Sequence, residues 1–152
     1  MTNKLEALET WASGLLEQLQ PAARNQLARS IGQELRRSQQ QRVLTQQNPD
    51  GSKFAPRKKR DLRGKQGRIR RKVEMFKKLR TATYMKARGD SNAATVGFTG
   101  RVARIARIHQ YGLRDRAERE APEVRYDQRE VLGFTEADID QIRDRLLNHL
   151  TQ

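Results

Sequence analysis

The 152-residue chain contains no cysteine. Disulfides, thiolate nucleophiles and sulfur ligands for metals are thereby excluded, and the composition suits a reducing cytoplasm. Histidine is nearly as scarce, with His109 and His149 the only two. A zinc site needs three or four N, S or O ligands at close spacing, and no such set is present. No apolar run approaches the ~20 residues of a membrane span, and the N-terminus lacks the apolar region of a signal peptide. Hydrophobic residues make up 35% of the chain and charged residues 33%. Globular proteins are nearer ~45–50% apolar and ~25% charged. A small core is therefore expected, with partners supplying further burial.

Positive charge is abundant and concentrated. Residues 40–90 hold 17 Lys and Arg against four acids, which accounts for +13 of the whole-chain +14. Within them, residues 53–72 carry 11 cations and one acid, Asp61. Gly64 and Gly67 interrupt this stretch and no apolar period runs through it, so a basic loop over about 48–72 is expected, mobile in the isolated subunit. Three readings stand for it: a solvated charge run, a phosphate-tracking segment, or a segment that docks on an acidic protein surface. Single-strand binding would want interleaved aromatics for stacking, and only Phe54 and Phe76 are near. The candidate contact residues are Arg57, Lys58, Lys59, Arg60, Arg63, Lys65, Arg68, Arg70, Arg71 and Lys72.

Periodicity supplies the elements. Leu5, Leu8, Ala12, Leu15, Leu16 and Leu19 recur at steps of three and four and predict a helix over 4–19. Pro21 ends it and opens a second helix to about 46, with Leu27, Ile31 and Leu35 on one face. Asn48-Pro49-Asp50-Gly51 has the residues of a type I turn. A short helix is expected at 72–80. Alternation at 82–87 and 94–98 around Arg88-Gly89-Asp90-Ser91-Asn92 predicts a β-hairpin, whose open edge could pair with a neighbouring subunit. A helix over 101–111 should turn Val102, Ile105, Ala106 and His109 inward and end at Gly112. Val124 and Tyr126 suggest a third strand reaching about Leu132. Thr135 with Asp138 resembles a capping box before a last helix with Ile139, Ile142, Leu146 and Leu150 on its apolar face. The expected class is α+β: a small antiparallel sheet of three to four strands, packed against N- and C-terminal helices, in a single domain over 1–152. Leu27, Ile31, Leu35, Val102, Ile105, Ile139, Ile142 and Leu146 are the expected core.

Catalytic chemistry has no visible carrier. Gly97-Phe98-Thr99-Gly100-Arg101 lacks the lysine and spacing of a phosphate-binding loop, and no nucleophile–base pair is present. His109, on an apolar helix face, reads as a hydrogen-bonded packing residue. No enzymatic activity, cofactor, metal or small-molecule substrate is expected, and no membrane partner.

The order of these pieces resembles a known family. Pro49-Asp50-Gly51, followed by Phe54-Ala55-Pro56, is similar to the PDG-x-x-[WF]-x-P stretch of phage virion-morphogenesis proteins, the tail completion proteins of contractile-tailed phages. Met75 to Arg80 leading into Tyr84-Met85-Lys86, Phe98 to Gly112, and Arg129 to Phe134 match as well. The family often has an RPFLG strand, read here as Arg129-Glu130-Val131-Leu132-Gly133 without the proline. The resemblance implies a non-enzymatic virion protein that completes the tail at its head-proximal end and enables head–tail joining. Related neck proteins form rings, commonly hexameric. The implied partners are further copies of the chain, tail tube, sheath and neck or connector proteins, with non-specific contact to DNA in the channel possible. The implied location is the virion, with the host cytoplasm during assembly. The alternative from the residues alone is a small basic nucleic-acid-binding protein.

Overall fold

The computed structural model describes residues 4–57 and 74–151. Four helices and four short strands follow in the order α1 (Lys4–Gln18), α2 (Pro21–Leu44), β1 (Met85–Gly89), β2 (Ala94–Phe98), α3 (Val102–Tyr111), β3 (Arg114–Asp115), β4 (Val124–Arg125) and α4 (Glu136–Thr151). The class is α+β, as expected. The strands are divided between two antiparallel ribbons, β1–β2 and β3–β4.

Local chemistry explains most boundaries. Gln20 is extended (φ −62°, ψ 150°) before Pro21, because the proline ring disfavours the helical region for the residue ahead of it. Gly112 ends α3 in the left-handed conformation at φ 61°, and Leu113 N then donates to Ile108 O at 2.9 Å. At the start of α4, Thr135 Oγ1 accepts from Asp138 N, and Asp138 Oδ2 accepts from Thr135 N, both at 3.0 Å. This is the reciprocal capping box that the sequence announced. In the hairpin, Met85 pairs with Phe98 and Gly89 with Ala94. Asp90 Oδ1 accepts from the amides of Asn92 and Ala93 and closes the turn.

Two glycines set the hairpin against α2. A Cβ on Gly89 would lie 2.3 Å from Arg29 N, and one on Gly32 would lie 3.2 Å from Arg88 O. Backbone therefore meets backbone where strand crosses helix.

The core lies at the C-terminal end of α2. Val43, Phe54, Met75, Phe76, Leu79, Ala106 and Val131 form it, with Phe98 and Val102 packed on its edge. Of the expected core, Ile31 is buried, and Leu27, Leu35, Val102, Ile139 and Ile142 are half-buried. Ile105 and Leu146 are corrections, at 49% and 42% exposed. In α3 the buried side chains are Ala106 and Ile108, Val102 and His109 face the core at its edge, and Ile105 points away. The short helix expected at 72–80 is a second correction. Residues 72 and 73 lie outside the described residues, and 75–80 form turns. Phe76 stands at φ 65°, a conformation that no right-handed helix admits, and this aims its ring at the core.

The third expected strand is also shorter than the pattern suggested. Only Val124–Arg125 pairs as strand, with Arg114–Asp115. Residues 126–133 run on without a neighbouring strand.

Candidate functional site

The stretches that carry the family resemblance converge on one knot. The turn at Asn48 is closed by Gly51 N donating to Asn48 O at 2.9 Å. It directs Phe54 into the core, and Phe54 N donates to Gln46 O at 2.8 Å. The Phe54 and Phe76 rings meet edge-on with centroids 5.6 Å apart. Phe76 meets the His109 ring at 4.8 Å, and His109 meets Tyr126 at 5.2 Å.

After one backbone tie at Arg129, residues 130–133 are held by side chains where a strand would be held by backbone. Arg129 N donates to His109 O at 2.7 Å, and Glu130 N donates to Asn48 Oδ1 at 2.9 Å. The Arg42 guanidinium donates to the carbonyls of Glu130 (2.7 Å), Val131 (2.8 Å) and Gln47 (2.9 Å). The Gln110 amide both donates to and accepts from the backbone of Leu132, at 2.8 and 2.9 Å. Gln39 grips Gly133 in the same two-way manner, at 2.7 and 3.1 Å. These buried backbone groups thus find the partners that burial demands.

The same knot ties both ends of the basic segment. On the entry side, Arg129 Nε donates to Ala55 O at 2.7 Å and Nη2 to Pro56 O at 2.9 Å. On the exit side, the Gln46 amide exchanges two hydrogen bonds with the backbone of Met75, at 2.9 and 3.0 Å. Of the sequence-predicted contact residues, Arg57 is exposed just beyond Pro56. Lys58, Lys59, Arg60, Arg63, Lys65, Arg68, Arg70, Arg71 and Lys72 lie outside the described residues.

Burial shapes the charges. Burial pushes the His109 imidazole down to about 4, with the Arg129 and Arg57 cations adding to the effect. His109 is therefore neutral near pH 7. Arg42 and Arg129 are also lowered, chiefly by burial; Asp138 and Glu130 oppose this at Arg42, and Asp127 does so at Arg129. Among the described residues, no group of three or more His, Cys, Asp and Glu could hold a metal, and no helix is long and apolar enough to cross a membrane. Among the described residues, the arrangement positions backbone.

Gln39, Arg42, Gln46, Gln110 and Arg129 were not singled out by sequence reasoning. A signal did exist for two of them. Leu27, Ile31 and Leu35 set a stripe along α2 whose next positions are Gln39 and Arg42. Polar residues that continue an apolar stripe are buried polar residues, and these must be bonded.

No solved structure matches the chain. It is 37% identical over 149 residues to tail completion protein S of Escherichia phage P2, covering 97% of this chain and 98% of that protein. Residues 3–151 match the phage virion morphogenesis family, and the chain belongs to that family.

Proposed function

We propose that this chain is a non-enzymatic structural protein of a phage virion. It completes the tail at its head-proximal end, enables head–tail joining, and acts as a ring of copies, six by the resemblance. The match to tail completion protein S over nearly the full length of both chains carries the reading. The knot supports it, because it fixes Ala55, Pro56 and Met75, the described residues that bracket the basic stretch in sequence. Acidic surfaces on neighbouring neck, sheath and tail-tube proteins are the favoured counter-charge. Phe54 and Phe76, the only aromatics near the segment, are both buried and are not available for base stacking. A channel lining must also let DNA slide.

The test is reconstitution. Tails assembled without this protein should fail to join filled heads, and adding the purified chain should restore infectious particles. Labelled protein should then appear at the head-proximal end of the tail in micrographs. Joining that proceeds equally without the chain would refute the proposal. Binding of duplex DNA that weakens with a log–log salt slope of roughly −0.9 per neutralised phosphate, with no effect on joining, would favour the nucleic-acid-binding alternative.

A further inference from the structure

The two ends of the molecule expose apolar surface in opposite charge settings. At one end α1 packs on α4 and α2, and His149 Nε2 lies 2.8 Å from Gln18 O. None of the described residues of α1 is buried. Trp11, the only tryptophan, is 65% exposed, and Leu8, Leu16 and Leu147 are each more than half exposed. Together α1 and residues 140–151 of α4 hold five acids and three cations, in a chain whose net charge is +14; the first turn of α4 lies at the other end of α2, where buried Asp138 accepts from Ser38.

The other end has the reverse character. The outward side of α3 presents Arg101, Arg104, Arg107, Ile105 and Tyr111, all exposed. No acid occurs in residues 101–111, although Arg104 pairs with Asp115 beyond the helix. Ala106, on the inward side, joins Val43 in the core near the C-terminal end of α2. The α1 end packs by the opposite end of α2, whose 24 residues span ~36 Å at ~1.5 Å per residue.

We propose that the acidic apolar end formed by α1 and the C-terminal part of α4 docks on the basic apolar face of α3 in a second copy of this chain, head to tail. Within one copy the two surfaces stand at opposite ends of α2 and do not cover each other. A two-fold contact would set acid against acid at α1, or arginine against arginine at α3. A head-to-tail contact pairs unlike surfaces and is the kind that, where the rotation between copies closes, builds a ring. Trp11 and Tyr111 supply the aromatic anchors typical of an interface centre, with charge at the rim fixing register. The inference rests on the ring reading and names the surfaces that would build it.

Complementation tests it. Trp11→Glu disables the α1 end, and Ile105→Glu disables the α3 face. Both positions are exposed, so circular dichroism should show each variant folded. Light scattering should find the wild type multimeric, each variant alone monomeric, and an equimolar mixture at high concentration forming 1:1 dimers and nothing larger. Raised salt should weaken the mixed dimer, since rim charges are screened. A wild-type multimer that both variants retain would overturn the assignment of surfaces and leave the ring standing. Monomeric variants that never form a mixed dimer would also overturn the head-to-tail contact. A wild type that stays monomeric at every concentration would remove the ring and this contact together.

Discussion

Arg129 Nη1 lies 3.2 Å from Nδ1 of His109. A guanidinium can only donate, so Nδ1 accepts and the imidazole proton sits on Nε2. The bond needs a neutral histidine, and burial beside Arg129 holds the ring neutral down to about pH 4.

A pH dependence follows from that bond. The folded value, about 4, lies below the ~6.5 of an unfolded histidine. The unfolded state therefore binds the proton first as pH falls, and stability declines between about 6.5 and 4. Above that window both states are neutral and the contribution is constant. The midpoint of thermal unfolding should drop across it. His109→Gln, which keeps an acceptor for Arg129, should flatten the dependence there. An unchanged slope in the variant would assign the effect to other groups.

Arg129 is 4% exposed and binds two carbonyls at the entry to the basic segment. Lysine keeps the charge but not the fork, so Arg129→Lys should leave Ala55 O or Pro56 O without its donor. The expected loss is about 1–3 kcal/mol, read from urea unfolding. Stability equal to the wild type would mean that Ala55 and Pro56 do not need this side chain.

The core set makes a sharp contrast. Met85 is fully buried, and Met85→Ala should cost about 2–5 kcal/mol. Ile105→Ala, at a position whose spacing alone suggested core, should cost under ~1 kcal/mol in the dissociated subunit. Reversal of that order would place the inner face of α3 on the wrong side.

Gly89 and Gly14 test backbone approach. A Cβ at Gly89 would strike the backbone of Ala28 and Arg29, whereas one at Gly14 meets nothing within 4 Å. Gly89→Ala should destabilise by about 1–3 kcal/mol through overpacking. Gly14→Ala, inside α1, should stabilise by about 0.5–1 kcal/mol. Equal effects at both would show that the hairpin can lift from α2 at little cost.

Legibility in the sequence followed the range of the interactions. Pro21, Gly112, the Asp90 turn and the Thr135–Asp138 box act within a few residues, and each placed its boundary. The apolar stripe of α2 was readable, and its continuation through Gln39 and Arg42 marks them as buried polar residues without naming their partners. Those two side chains bond residues 130, 131 and 133, about 90 positions away, and no local pattern encodes that pairing. Val131 reads as part of a strand because it is extended and apolar. Its segment is held by side chains, which strand alternation does not report. Phe76 shows the same limit, since its period suggested a helix, whereas it stands at a left-handed φ with its ring against Phe54 and His109. The candidate contact residues stand out only as charge density, which carries no geometry.

The basic segment carries the last prediction. Residues 53–72 hold a net charge of +10, and a ring would bring several such segments together. Like charges at short range repel, so the assembled state requires counter-charge from outside, on neighbouring virion proteins or on DNA. Replacing Lys58, Lys59, Arg60, Arg70 and Arg71 with Ser should change stability little, within about ±0.5 kcal/mol per site. The knot should be untouched, because its ties run through the backbone of Ala55, Pro56 and Met75. Head–tail joining in vitro should nevertheless fall sharply, and addition of a short polyanion should inhibit the wild type in the same assay. A folded variant that joins heads to tails at the wild-type yield would show that the charge serves solvation alone.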